Sequence, residues 1–313
     1  MSFIGNGKTF TVDRRKFMLG AAALVAAGVL PKQVLALAGP VTFKQGNFDV
    51  TVVSDGQLVL PAAIVASNAP PEDVKKLIAM LLTGDNITVQ ASPVLLKSAS
   101  DLILLDTGAG SGFQASAGKI VETLKLAGVD PAAVTRVIYT HAHPDHIWGT
   151  AANGALTFPN ASYHIAENEW NFWGAPDLAG KMPKEMQGMV TGTQAQFAAI
   201  KDKVAMFKPG SEVIPGMNVL DTPGHTPGHV SFELAGGDGL IITADAITIP
   251  EVFFAHPDYH FGFDSDGDLA SKSRVALLDM AAAGKKKMLG YHWTGTGMGY
   301  AEKKDGAFVY VPA

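Results

Sequence analysis

The segment Val137-Ile138-Tyr139-Thr140-His141-Ala142-His143-Pro144-Asp145-His146 runs an apolar, strand-like stretch directly into three imidazoles and a carboxylate. Imidazole nitrogen and carboxylate oxygen are the ligands that hold Zn²⁺ and similar borderline ions. Alternation sends His141 and His143 toward one centre and leaves Asp145 and His146 for another, so one loop can serve two ions. Three of the chain's nine histidines fall here, a concentration that an ordinary polar loop does not need.

The remainder of the chain bounds how such a site is built. With 313 residues, 47% apolar and 17% charged, it can bury a sizeable core as one large α/β domain or two smaller ones. The absence of cysteine excludes disulfides, thiolate nucleophiles and Cys-held metals, so any metal must take N and O ligands. A net charge of −5, with no cationic stripe beyond Lys285-Lys286-Lys287, gives nucleic acid no footing as a partner.

Near the N-terminus, Asp13-Arg14-Arg15-Lys16-Phe17-Met18-Leu19 precedes an apolar, Ala-rich stretch reaching about Leu30, and Ala36-Leu37-Ala38-Gly39 follows. The pattern resembles a twin-arginine export signal over residues 1–38 with a small-x-small cleavage site. It implies a domain at 39–313 that is exported folded, to the periplasm or outside the cell. The alternative is an uncleaved anchor, although the stretch is shorter than the roughly 20 apolar residues that span a bilayer.

Alternating and punctuated apolar runs predict strands at Asp49–Val53, Leu102–Leu105, Arg136–Thr140, Ala161–Ala166, Val219–Asp221, Val230–Leu234, Leu240–Thr243 and Ala307–Val311. Helical spacing predicts helices opening at Pro71, from about Gln114 to Ala127, from about Lys184 to Phe207, and from Leu269 to Ala283. No repeat or low-complexity linker interrupts residues 40–313, so one domain is the simpler count.

Further candidates stand at strand ends or glycine turns: His225 in Thr222-Pro223-Gly224-His225-Thr226-Pro227-Gly228-His229, Asp245 after Leu240–Ala244, and His292 after Met288–Tyr291. Taken singly, each could equally be a turn residue. In order with the first cluster, over about residues 45–313, they resemble the metallo-β-lactamase superfamily. That resemblance implies a four-layer αββα sandwich with the metal site at one edge. It also implies that His141, His143 and His225 hold one ion, that Asp145, His146 and His292 hold a second, and that Asp245 bridges them.

Two divalent cations about 3.5–4 Å apart lower the pKa of a shared water toward about 7, which makes hydroxide available at neutral pH without a Ser or Cys nucleophile. Zn²⁺ is the expected ion, with Mn²⁺, Co²⁺ or Fe as alternatives that the same ligands accept. Asp145 is also a candidate proton acceptor. Asp55, Asp106 and His229 are expected either to orient ligand imidazoles or merely to cap turns. His164, His256 and His260 match no ligand position.

Within the superfamily, the match is closer to exported phosphotriester hydrolases resembling methyl parathion hydrolase. It includes Phe48-Asp49-Val50-Thr51, Leu105-Asp106-Thr107-Gly108, Phe158-Pro159-Asn160-Ala161, Phe172-Trp173 and Asp264-Ser265-Asp266. Acyl-homoserine lactonases are the second branch, although Thr248 stands where well-known lactonases carry tyrosine. The resemblance places Phe113, Trp173 and Met189 at the leaving-group pocket, with core placement the alternative for the two aromatics. Phe253, Phe254, Tyr259, Phe261 and Phe263 form a loop over the site, a buried connection or a dimer contact. The expected reaction is hydrolysis of a small, neutral, apolar phosphotriester, lactone or aryl ester. A quorum-signal lactonase and a non-catalytic metal-binding protein are the rival readings, and a homodimer is compatible with the aromatic stretches.

Overall fold

Val94–Lys97 and Leu102–Leu105 pair as antiparallel neighbours, and their side chains sort by parity. Val94, Leu96, Ile103 and Leu105 turn into the centre of the molecule, while Leu95 and Leu104 turn outward under helices. Both faces are apolar because both are covered, as expected for a sheet inside a layered α/β protein. Burying each such side chain is worth about 1.5–3 kcal/mol.

The computed structural model describes residues 40–313 and, ahead of them, the backbone of the paired strands Ser2–Gly5 and Lys8–Thr11. The rest of the expected export signal lies outside the described residues. Two seven-stranded sheets form the middle layers. In the first, Val204–Phe207, Ser162–Ala166, Arg136–Ile138 and Leu102–Leu105 run parallel, and Val94–Lys97, Phe48–Val52 and Val41–Gln45 continue it antiparallel. In the second, Leu240–Ala244 and Lys287–Gly290 form a parallel pair at the middle of an otherwise antiparallel sheet running from Glu212–Ile214 to Ala307–Pro312. Phe48, Val50 and Ile138 meet Val219, Phe232 and Leu289 in the core between the sheets.

Outside the first sheet lie the helices Ile120–Leu126, Glu167–Trp173 and Lys184–Ile200; outside the second lies Gly267–Gly284. The result is the expected four-layer αββα sandwich. A separate three-stranded sheet, Gly56–Pro61, Asn86–Ala91 and Leu82–Thr83, packs with the outer core of the second sheet. Among the described residues, no helix is long and apolar enough to cross a membrane.

Two expected helices are corrected. The one from Gln114 begins only at Ile120, because Gly118 takes φ +74° and breaks the turn before it. The one running to Phe207 ends at Ile200; after a polar turn, Val204–Phe207 becomes a parallel edge strand against Ser162–Ala166. The last helix starts at Gly267, where the side chain of Asp266 accepts from Leu269 N and satisfies an otherwise orphaned donor.

Candidate metal centre

Strand ends from both sheets feed one point. Arg136–Ile138 of the first sheet leads into His141 and His143, and the short helix Pro144–Ile147 carries Asp145 and His146. In the second sheet, His225 follows Met217–Asp221, Asp245 follows Leu240–Ala244, and His292 follows Lys287–Gly290. Ala244 takes φ +45° where the register to Lys287–Gly290 breaks. A left-handed non-glycine residue costs roughly 1–2 kcal/mol, and here it turns Asp245 off the strand.

The side chains converge closely. His143 Nδ1 lies 3.1 Å from His141 Nε2 and 2.9 Å from His225 Nε2. Asp145 Oδ2 lies 3.4 Å from His146 Nε2 and 3.3 Å from His292 Nε2. Asp245 reaches both sets, with Oδ2 3.3 Å from His225 Nε2 and 3.2 Å from His292 Nε2, and Oδ1 3.4 Å from His146 Nε2. Among the described residues, the metal-capable triads are His141/His143/His225, His141/His146/Asp245 and Asp145/His146/His292. All are buried, and they draw on the seven expected ligands alone.

The hydrogen bonds behind the rings decide which nitrogen faces inward. Asp106 Oδ2 accepts from His146 Nδ1 at 2.8 Å and from the Thr140 hydroxyl at 2.8 Å, and that hydroxyl lies 3.1 Å from His141 Nδ1. Asp264 Oδ1 takes His225 Nδ1 at 3.0 Å, and the Gln90 carbonyl takes His292 Nδ1 at 2.7 Å. With a proton on each Nδ1, the Nε2 lone pairs of His141, His146, His225 and His292 point into the centre. There they face other lone pairs, and His146 Nε2 and Asp245 Oδ1 are buried with no hydrogen-bond partner. Such a donor set fits a pair of cations.

Electrostatics agree. Burial opposes charge on every imidazole here, yet Asp245 and Asp264 carry His225 up to about 9, and Asp245 with Asp145 carries His292 up to about 10. His141 and His143 are pushed well down, by burial first and then by neighbouring imidazoles. The carboxylates demand positive charge that the imidazoles cannot all supply.

Of the three expected orienting residues, Asp106 bonds a ligand ring, whereas Asp55 and His229 do not. Asp55 instead accepts from Ala109 N at 2.7 Å, Gly118 N at 3.1 Å and Ile120 N at 2.9 Å, pinning both ends of the loop that carries Phe113. Burial pushes its carboxyl up to about 6 against those three donors. His164 pairs with Ser162, His256 stacks on Tyr259, and His260 pairs with Asp268.

Above the cluster, Leu58, Leu60, Phe113, Met189, Phe261 and Phe263 line a cleft floored by His143, Asp145, His225, Asp245 and His292. Phe113 and Met189 therefore border the cleft. Trp173 does not: it is buried behind His143, edge-on at 5.6 Å, with its indole N–H on Glu169. Thr248 is likewise buried and absent from the lining. The aromatic stretch divides, since Phe261 and Phe263 face the cleft while Phe253 and Phe254 fill the core.

Arg274 carries no sequence signal, being one cation in a helix, yet its guanidinium is buried. It donates to the carbonyls of Ala246, Pro257 and Tyr259 at 2.9, 2.8 and 2.7 Å and sits 3.6 Å from Asp264 Oδ2. It thereby ties the aromatic loop to the carboxylate that orients His225.

Residues 87–292, which include all seven of these side chains, match the family model of the metallo-beta-lactamase superfamily. The chain belongs to that superfamily. Within it, the chain is similar to an N-acyl homoserine lactonase of Bacillus sp., 29% identical over 161 residues, which are 50% of this chain and 56% of that protein. Two solved superfamily structures resemble it over most of its length. One is hydrolase AbOPH, with TM-score 0.82 and 27% identity over 89% of this chain and 98% of that one. The other is AidC, a dizinc quorum-quenching lactonase in complex with a product, N-hexanoyl-L-homoserine, with TM-score 0.82 and 27% identity over 88% and 98%. The match spans about half the length of the curated relatives.

Proposed function

We propose that this metallo-β-lactamase-fold chain is a two-cation hydrolase that opens lactones and other small neutral esters. His141, His143 and His225 would hold one divalent ion and Asp145, His146 and His292 the second, and Asp245, which reaches both sets of side chains, would be shared by them. The observation that carries this reading is the set of three interlocking triads whose lone pairs face one another beneath an apolar cleft. The likeness to lactonases, one of them a dizinc enzyme, supports lactones as the first substrate class and Zn²⁺ as the first ion to test.

Bound divalent ions supply an acidified water and a Lewis acid for the scissile carbonyl. The chain's own residues do the rest. Leu58, Leu60, Phe113, Met189, Phe261 and Phe263 bind the apolar part of the substrate and shed its water. Thr140, Asp106, Asp264 and the Gln90 carbonyl hold the imidazoles in one tautomer and orientation. Asp145 is more open to the cleft than Asp245, its side chain 11% exposed against 4%. Burial would raise its carboxyl, but His146 and His292 hold it well below the usual carboxylate range. It is therefore ionised at neutral pH, and its place on the floor of the cleft makes it the candidate hydrogen-bond acceptor for the attacking water.

Phosphotriesters are the second reading, favoured by Phe113 in the wall, where the phosphotriesterase resemblance puts an aromatic residue. Turnover of Zn²⁺-, Mn²⁺- and Co²⁺-loaded protein on acyl-homoserine lactones, aryl esters and a paraoxon-type triester tests both. Faster lactone opening supports the first reading, faster triester cleavage the second, and no turnover of any substrate overturns both. The twin-arginine pattern supports folded export to the periplasm or beyond. Mass spectrometry of exported protein should find a start near Gly39, and an intact Met1 on soluble cytosolic protein would overturn it.

A further inference from the structure

Glu169 is fully buried in the helix Glu167–Trp173, away from the cleft lining. Its Oε1 accepts from Ala142 N at 2.8 Å and from Trp173 Nε1 at 2.8 Å, and its Oε2 accepts from the Thr226 hydroxyl at 2.8 Å and from Gly228 N at 2.9 Å. Ala142 stands between His141 and His143, Thr226 directly follows His225, and Trp173 packs edge-on against His143. We propose that Glu169 is a positioning residue of the metal centre, an ionised carboxylate that latches the His141–His143 loop to the His225 loop and keeps the first triad at coordinating distance. The inference rests on the two-cation reading above and assigns the residue that sets the geometry of one of its two sites.

Three features carry it. Three of the four contacts are N–H groups that can only donate and the fourth is the Thr226 hydroxyl, so the carboxylate, accepting two hydrogen bonds on each oxygen, satisfies all four. The loops it joins belong to different sheets, so neither sheet's own ladder fixes their separation. The approach is also a built one: a Cβ on Gly228 would fall 2.2 Å from Glu169 N, so the His225 loop reaches the helix only because that residue has no side chain. Asp145, His146 and His292 donate no hydrogen bond to this carboxylate, so its loss bears on His141/His143/His225 and spares Asp145/His146/His292.

The test titrates metal-free full chain with Co²⁺ against a chromophoric chelator, following the visible cobalt bands, in wild type and in Glu169→Gln. The amide keeps the size but turns N–H groups onto backbone donors. One of the two binding steps is expected to weaken about 10- to 100-fold, with altered cobalt absorption for that step, while the other step is unchanged. Unchanged affinity in both steps overturns the latch, as does an equal weakening of both that tracks a fall in melting temperature. If Glu169→Gln does not fold, Thr226→Val removes a single donor and is expected to weaken the same step by a smaller factor; no change there overturns the proposal. A wild type that takes up no Co²⁺ overturns the two-cation reading and the latch with it. A wild type that takes up two ions, beside a variant that binds them identically, overturns the latch alone.

Discussion

The backbone N–H of Asp245 donates to Nε2 of His229 across 3.2 Å, and the other ring nitrogen of His229 lies 2.9 Å from the Thr222 hydroxyl. His229 thus holds the main chain of the central carboxylate, immediately after the left-handed turn at Ala244. It can accept that N–H only while neutral, and burial pushes its pKa down to about 3.

A depressed histidine contributes stability that is complete above its unfolded pKa, near 6.5, and is lost as pH falls toward its folded value. Urea denaturation should therefore show a loss of about 2 kcal/mol from this ring between pH 7 and pH 5. His229→Gln should lose that share of the pH dependence. Identical pH profiles for variant and wild type would contradict the neutral-acceptor role.

Chelation should destabilise the chain, because ions bound by strands of both sheets favour the folded state alone. At free metal a thousandfold above the dissociation constant, the stabilisation is about 4 kcal/mol. Calorimetry before and after chelation, with metal analysis returning about two ions per chain, checks this; an unchanged melting temperature would count against the centre.

Asp245→Asn removes the carboxylate that reaches both sets of imidazoles. Loss of hydrolytic kcat by at least about 100-fold is expected, more than the replacement of an outer-sphere partner costs. Retention of full activity would remove Asp245 from its bridging place.

Arg274→Met leaves three carbonyls and Asp264 without their cation. Breaking a buried pair from one side costs about 3–5 kcal/mol. Arg274→Lys should recover little, since one ammonium cannot reproduce the guanidinium fork. Denaturation curves of both variants decide the matter, and a loss below about 1 kcal/mol in the methionine variant is incompatible with the role assigned.

Phe113→Ala opens one wall of the cleft far from the ligand atoms' own hydrogen bonds. Its KM for an apolar ester should rise about 10-fold with kcat little changed, because the ring contributes equally to ground state and transition state. A kcat loss at constant KM would move Phe113 into the chemistry.

How far the sequence spoke depended on the range of the interaction. The His141–His146 cluster was legible because its ligands are neighbours in the chain, and apolar parity exposed the central strands. His225, Asp245 and His292 became legible only as an ordered set, since each alone reads as a turn residue. For Asp55 and His229 the sequence left ring orientation and turn capping open, because a polar residue beside a glycine turn gives no hint of whether it bonds a ring or a backbone N–H. The helix expected from Gln114 failed for a related reason: helical spacing of side chains does not record that Gly118 adopts positive φ. Trp173 looked like a pocket wall, and its indole was claimed by a carboxylate four residues earlier.

No lysine or arginine stands among the residues that line the cleft. A neutral ester entering it meets leucine, methionine and phenylalanine, but opening that ester creates an anion for which those walls have no counter-charge. The cleft therefore divides its work by depth: the walls favour the neutral molecule on its way in, and any hold on the anion it becomes falls to the floor, where the candidate cation sites lie.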